Sequence, residues 1–194
     1  MVAIYNGMSD CGTEREQGKA YISAEILRQE RYGSNFLDLN VDELSPHIDV
    51  QKRAMRWLVG IYSSLANVPP SIDSSSQEIL QAGLEEYSSR GSPQGIPLVN
   101  SASLERVNVL DLVVEHNTDV IVTSAGSGSM PSDEHDRVAN AHLILEQCKS
   151  RGIGFDRVHI DALLFPISVD QRYGNHYLDA VRLMRREFGG EIRI

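Results

Sequence analysis

Asp119-Val120-Ile121-Val122-Thr123, then an amphipathic stretch over residues 133–149, then Arg157-Val158-His159-Ile160-Asp161, is the passage on which the fold class turns. Two β-branched runs flank a segment of helical length, which is the pattern of a βαβ crossover, and such a crossover requires parallel strands. Within residues 133–149, Val138, Ala141, His142, Leu145 and Cys148 recur at the three-and-four spacing of one helix face, and Gly152 stands just beyond as a C-cap. The alternation continues in both directions. Strand-like runs occupy residues 2–6, 35–40, 70–73 and 96–100, and another begins at Glu191. Between two of them, residues 49–65 place Val50, Ala54, Trp57, Leu58, Ile61 and Leu65 on a single stripe. The class read from this is α/β with a parallel sheet. Of the two parallel architectures, a doubly wound sheet usually carries a Gly-rich turn after its first strand. Asn6-Gly7-Met8-Ser9-Asp10 is not G-x-G-x-x-G, which favours a (β/α) barrel of the TIM type. With no break in composition, residues 1–194 read as one domain.

Composition narrows the function classes. A hydrophobic content of 41% supports a sizeable core. The longest apolar stretches are strand-sized, far short of the roughly 20 residues of a membrane helix. Residues 1–8 lack the basic leader and apolar segment of a secretory signal, so a cytoplasmic location is expected. Cys11 and Cys148 have no companion metal motif and are read as reduced thiols. The net charge is −9 and the Lys and Arg residues are scattered, so nucleic acid is not expected as a partner. Lys19, Arg28 and Arg31 belong to a solvated helix face.

Several strands end in a polar residue: Asp38 and Asn40, Asp73, Asn100, and Asp161. Each would project at the carboxyl end of its strand, where parallel barrels assemble their active sites. A carboxylate there costs several kcal/mol in desolvation unless donors reach it, so a ligand rich in N–H groups is one natural partner. Each position alone also fits turn and helix-cap chemistry, and Ser75 to Glu78 spells a capping box after Asp73. Repetition over four strands favours the functional reading. The segment Gly126-Ser127-Gly128-Ser129 could cradle a phosphate but reads better as a flexible loop, and Trp57 reads as core.

The strings Phe36-Leu37-Asp38-Leu39-Asn40-Val41, Ile72-Asp73-Ser74, Gln81-Ala82-Gly83-Leu84, Val99-Asn100-Ser101 and His159-Ile160-Asp161 resemble the methyltetrahydrofolate:corrinoid methyltransferases. These belong to a pterin-binding group of TIM barrels that includes the folate domain of cobalamin-dependent methionine synthase and dihydropteroate synthase. The order and spacing of the pieces, Met130-Pro131 before Arg137, and Leu164-Phe165-Pro166 are similar too. The resemblance implies that Asp73, Asn100 and Asp161 grip a pterin ring, with Asp38 and Asn40 lining the same pocket. Asn100 and Asp161 are its implied catalytic residues. Arg137 could meet the anionic folate tail, or face solvent from the first turn of its helix. The implied reaction moves the N5 methyl of methyltetrahydrofolate to the Co(I) of a cobalamin-type corrinoid on a partner protein, with hydrogen-bonding or general-acid assistance at N5.

The sequence departs from that family in places. The barrel would be truncated within its seventh strand, and the family's Leu-Ser-Asn-Val segment, whose Asn approaches N5, has no counterpart within these residues. Ala162 stands where the family usually has Pro, and residues 5–8 replace a Gly-Glu-Arg-Ile-Asn start. Exposed first and last strands would favour a homodimer, the alternative being that the chain is a fragment of a longer gene product. Two other readings stay open. One is a dihydropteroate synthase-like enzyme, although Leu37-Asp38-Leu39-Asn40 lacks the Asp-x-Gly of that group. The other is a non-catalytic module that binds pterin or self-associates.

Overall fold

A computed structural model describes residues 1–194, which divide into two compact units, Met1–Asn100 and Ser101–Ile194. In the first, helices α1 (Val2–Gly7) and α2 (Gly12–Arg31) precede β1 (Leu37–Asn40), α3 (Ile48–Leu65), β2 (Pro70–Asp73), α4 (Gln77–Ser89) and the start of β3 (Leu98–Ala102). β1 pairs with β2 in parallel, Asp38 opposite Ser71 and Asn40 opposite Asp73; β2 pairs with β3, Asp73 opposite Asn100. The register therefore puts Asn40, Asp73 and Asn100 in one row across three strands.

The second unit runs from the end of β3 through α5 (Val109–Glu115), β4 (Asp119–Thr123), α6 (Glu134–Ser150), β5 (Val158–Asp161) and α7 (Arg172–Phe188). β4 and β5 are parallel, with Thr123 opposite Asp161, and Arg193 forms a parallel bridge to His159. In each unit the paired strands are consecutive in the chain and separated by a helix. That is the wall of a (β/α) barrel, carried in part, and it confirms the α/β class.

The run at residues 2–6 is a correction: it is a helix, not a strand. Ile4 and Gly7, three apart, are its buried residues, whereas Val2 and Tyr5 are exposed. Packing overrides the β-propensity of Val, Ile and Tyr here. A Cβ on Gly18 of α2 would lie 2.3 Å from the Gly7 nitrogen and 2.5 Å from the Ala3 oxygen, so the two helix backbones touch. Gly7 in turn abuts the Trp57 ring. Gly18→Ala is expected to force the helices apart and lower stability by about 2 kcal/mol in urea denaturation. Gly12→Ala, with nothing within 4 Å of its Cβ position, should leave stability intact or raised. With this run helical, the segment at Glu191 follows five strands rather than six.

Two helix faces also differ from the sequence pattern by a small rotation. α3 buries Ala54, Met55, Leu58, Val59 and Tyr62, and Leu65 is left at the surface. α6 buries Arg137, Val138, Ala141, Ile144, Leu145 and Cys148, while His142 lies outside and pairs with Glu187. Both helices end near where the pattern stops, and Gly152 has the positive φ, +74°, of a residue just past a helix C-terminus. Cys11 and Cys148 are both free thiols, and burial pushes that of Cys148 up to about 11. No helix is long and apolar enough to cross a membrane.

Candidate functional site

Side chains alternate along a strand, so Asp38 and Asn40 share one face of β1, and Ser71 and Asp73 share the corresponding face of β2. Their hydrogen bonds follow from that register. Asn40 Nδ2 donates to Asp73 Oδ2 at 2.8 Å. Ser71 Oγ donates to Asp38 Oδ1, and Asn100 Nδ2 reaches the same oxygen from β3 at 3.4 Å. The structure thus brings together four of the six positions picked from the sequence: Asp38, Asn40, Asp73 and Asn100.

Asp73 is the electrostatic centre of the group. Partial burial is the main cause lifting its carboxyl to about 6. The Asn40 amide works against that shift. Asp38, through its charge and through hydrogen bonding with Asp73, and the charge of Asp42 reinforce it. Half-buried Asp73 therefore sits among carboxylates with the Asn40 amide as its donor, a poor environment for an anion. Ligand N–H groups would relieve this.

The alternative, that Asp73 caps the next helix, is not what the structure shows. α4 begins at Gln77 with Ser76 as N-cap and no side-chain cap, so the capping box does not form. Glu78 instead pairs with Lys52 at 3.1 Å on the surface. Asp42 is the residue whose importance the sequence understated. Its carboxylate accepts from Ser74 Oγ and from the Ser75 amide at 2.7 Å, tying the loop after β1 to the loop after β2. Ser71 was legible from strand alternation with Asp73; Asp42 and Ser74 were not, because a cross-loop bond leaves no periodic signal.

In the second unit, Asp161 lies exposed at the carboxyl end of β5. Its Oδ1 accepts from the Leu163 amide at 2.8 Å, so half of this carboxylate serves a local turn. Leu163 has φ +58°, uncommon for a branched side chain, and this bond helps hold it there.

Arg137 is a correction. It is fully buried, not presented to a ligand. Its Nε donates to the Ala162 oxygen at 3.0 Å, Nη2 to the Leu163 oxygen at 3.1 Å and Nη1 to the Asp133 oxygen at 2.7 Å. The guanidinium also stacks over Phe165 at 4.9 Å. A side chain whose donors are spent on main-chain carbonyls has no fork left for a folate carboxylate. Gly126 to Ser129 forms a loop, as expected, and its Gly128 amide donates to the Glu105 carboxylate at 2.8 Å.

Comparison with known proteins gives the family. The profile described as pterin binding enzyme matches residues 7–194. The chain belongs to the pterin-binding enzyme family. Within that family it is 22% identical over 161 residues to the methylcorrinoid:tetrahydrofolate methyltransferase of Eubacterium limosum, covering 80% of this chain and 56% of that protein. It is 26% identical over 171 residues to the methionine synthase of Mycobacterium leprae (strain TN), covering 81% of this chain and 13% of that one. The chain thus spans about half the length of one curated relative and a small part of the other. As a pterin-binding family member, it carries its acceptor row at the strand ends where parallel α/β proteins place their ligand sites.

Proposed function

We propose that this chain binds the pterin ring of a reduced folate, methyltetrahydrofolate, and takes part in methyl exchange between its N5 and a corrinoid on a partner protein. The observation that carries the reading is the row Asn40, Asp73 and Asn100 with Asp38 beside it, centred on a carboxyl that partial burial has made uncomfortable. A pterin presents a 2-amino group and a ring N–H along one edge, which suit Asp73 as acceptor, and Asn100 can donate as well as accept. The family membership and the activity for which the Eubacterium limosum relative is named support the same ligand class.

The corrinoid, supplied by the partner, would provide the metal that accepts or delivers the methyl group. For this chain the work is to bind the pterin, orient it and stabilise N5 as its bond to methyl breaks. The bonding pair stays with N5, a poor leaving group unless a proton or hydrogen bond assists it. Asn100 and Asp161 are the residues assigned to that assistance, Asp161 on its sequence pattern alone. One relative is named for the opposite direction of transfer, and a site that stabilises one transition state serves both directions. The 1–194 single domain, the cytoplasmic location and the homodimer are retained as parts of the proposal. Light scattering decides the dimer, and a monodisperse monomer would count against it.

Two measurements test the reading. Calorimetric titration with methyltetrahydrofolate should give saturable binding that Asp161→Ala weakens by far more than the small loss of stability expected from its turn bond to the Leu163 amide. Addition of a Co(I) corrinoid protein should then demethylate the folate. Saturable binding without transfer would reduce the function to a pterin-binding module, and absence of binding would reject the proposal. Because ligand donors favour the ionised Asp73, affinity should fall as pH drops through about 6. Kd at pH 5 is expected to be roughly tenfold weaker than at pH 7.5, the linkage of one proton over one unit below the midpoint.

A further inference from the structure

We propose that Asn40 is the positioning residue of Asp73, fixing the orientation and the charge state in which that carboxylate meets a ligand, rather than a reader of the ligand itself. The inference rests on the pterin reading for its consequence but on the unliganded geometry for its substance. An asparagine amide has one acceptor end and one donor end, and either could face Asp73. Here the choice is made by the main chain. Asn40 Oδ1 accepts from the Asp42 amide at 2.9 Å, so Nδ2 is the end left to point across to β2, where it meets Asp73 Oδ2 at 2.8 Å.

The Asp42 amide is itself held in place. Its own carboxylate is anchored to Ser74 and to the Ser75 amide on the neighbouring loop. A continuous relay therefore runs from the loop after β2, through Asp42 and Asn40, and back to the last residue of β2. Any ligand that shifts Asp73 must work against this relay, and a ligand that fits is met by an acceptor already aimed. Preorganisation of this kind matters because the ordering has been completed before binding.

Charge gives the relay a second consequence. The titratable groups facing Asp73 are Asp38 on β1 and Asp42 in the loop beyond it, both of which raise its affinity for a proton; Asn100 on β3 is neutral. The Asn40 hydrogen bond acts in the opposite direction. Without its amide, burial and two carboxylates act unopposed, and the ionised form is reached only at higher pH. Asn40→Asp goes further, because it places a third carboxylate at hydrogen-bonding distance of Asp73.

The test follows the Asp73 carboxyl carbon by NMR through a pH titration of the unliganded protein, with the resonance assigned by its loss in Asp73→Asn. Wild type should titrate near 6, Asn40→Ala about one unit higher, and Asn40→Asp higher still. The pH dependence of methyltetrahydrofolate binding should move by the same amount in Asn40→Ala. An unchanged Asp73 midpoint in both variants would overturn the proposal. So would a shifted midpoint with an unshifted binding profile, since Asn40 would then not act on the ligand through Asp73. If wild type binds no pterin, the proposed function fails while the carboxyl titration alone still decides whether Asn40 governs Asp73.

Discussion

Asp73→Asn should abolish pterin binding, by about 100-fold or more, and yet make the unliganded protein more stable at neutral pH. The first effect follows from exchanging a charged acceptor for an amide that presents a donor to the ligand's own donors, leaving a buried N–H unpaired in the complex. The second follows from the direction of the proton shift. The folded chain holds the Asp73 proton to about 6, above its ordinary range. The protonated side chain therefore favours the fold below pH 4, and that contribution is lost as pH rises through about 6. At pH 7.5 the ionised carboxylate is a net cost of about 1 kcal/mol, once the full shift is discounted for solvent reaching a half-exposed group. Asparagine cannot ionise and still accepts from Asn40. Urea denaturation should show the variant matching wild type near pH 4 and exceeding it at pH 7.5. A loss of stability at pH 7.5 would make Asp73 a structural residue.

Arg137 should behave in the opposite way. Arg137→Ala is expected to cost roughly 3–5 kcal/mol, because it empties a fully buried site and removes the donors of three main-chain carbonyls. It also releases Leu163 from a left-handed conformation that the guanidinium and Asp161 together maintain. Arg137→Lys should recover less than half of the loss, since a single ammonium cannot serve carbonyls of Asp133, Ala162 and Leu163 at once. A variant that kept its stability but lost affinity for polyanionic folates would restore the ligand-tail role inferred from sequence. The melting temperature and the binding curve, taken on the same sample, separate the two roles.

These two residues also mark what is legible in the sequence alone. Asp73 was legible because strand ends have a fixed meaning in parallel sheets. An apolar run closing on a carboxylate puts that group at the carboxyl edge whatever the surroundings. The same rule found Asp38, Asn40 and Asn100, and the registers of β1, β2 and β3 then aligned them. Arg137 was misread because its destination is a tertiary matter. Nothing in the first turn of an amphipathic helix says whether an arginine will face solvent, a ligand or, as here, the carbonyls of a distant loop.

The same limit explains residues 2–6. Their β-branched character is a local preference, and it yielded to a glycine contact between Gly7 and Gly18 that no local pattern encodes. The rotation of the α3 and α6 faces is of that kind too. Period and length were read correctly, but which residues met the sheet was set by packing. Asp42 is the instructive omission, because it looked like an ordinary loop acid. Only the parallel pairing of β1 with β2 brings its carboxylate to Ser74 and Ser75.

The most direct test is to titrate methyltetrahydrofolate into 15N-labelled protein at pH 7.5 and follow the side-chain amides of Asn40 and Asn100. Saturable shifts of both in wild type, lost in Asp73→Asn, are the predicted result. Binding that leaves both amides unmoved, or survives in Asp73→Asn, would show that the ligand does not meet the carboxyl edge of β1 to β3.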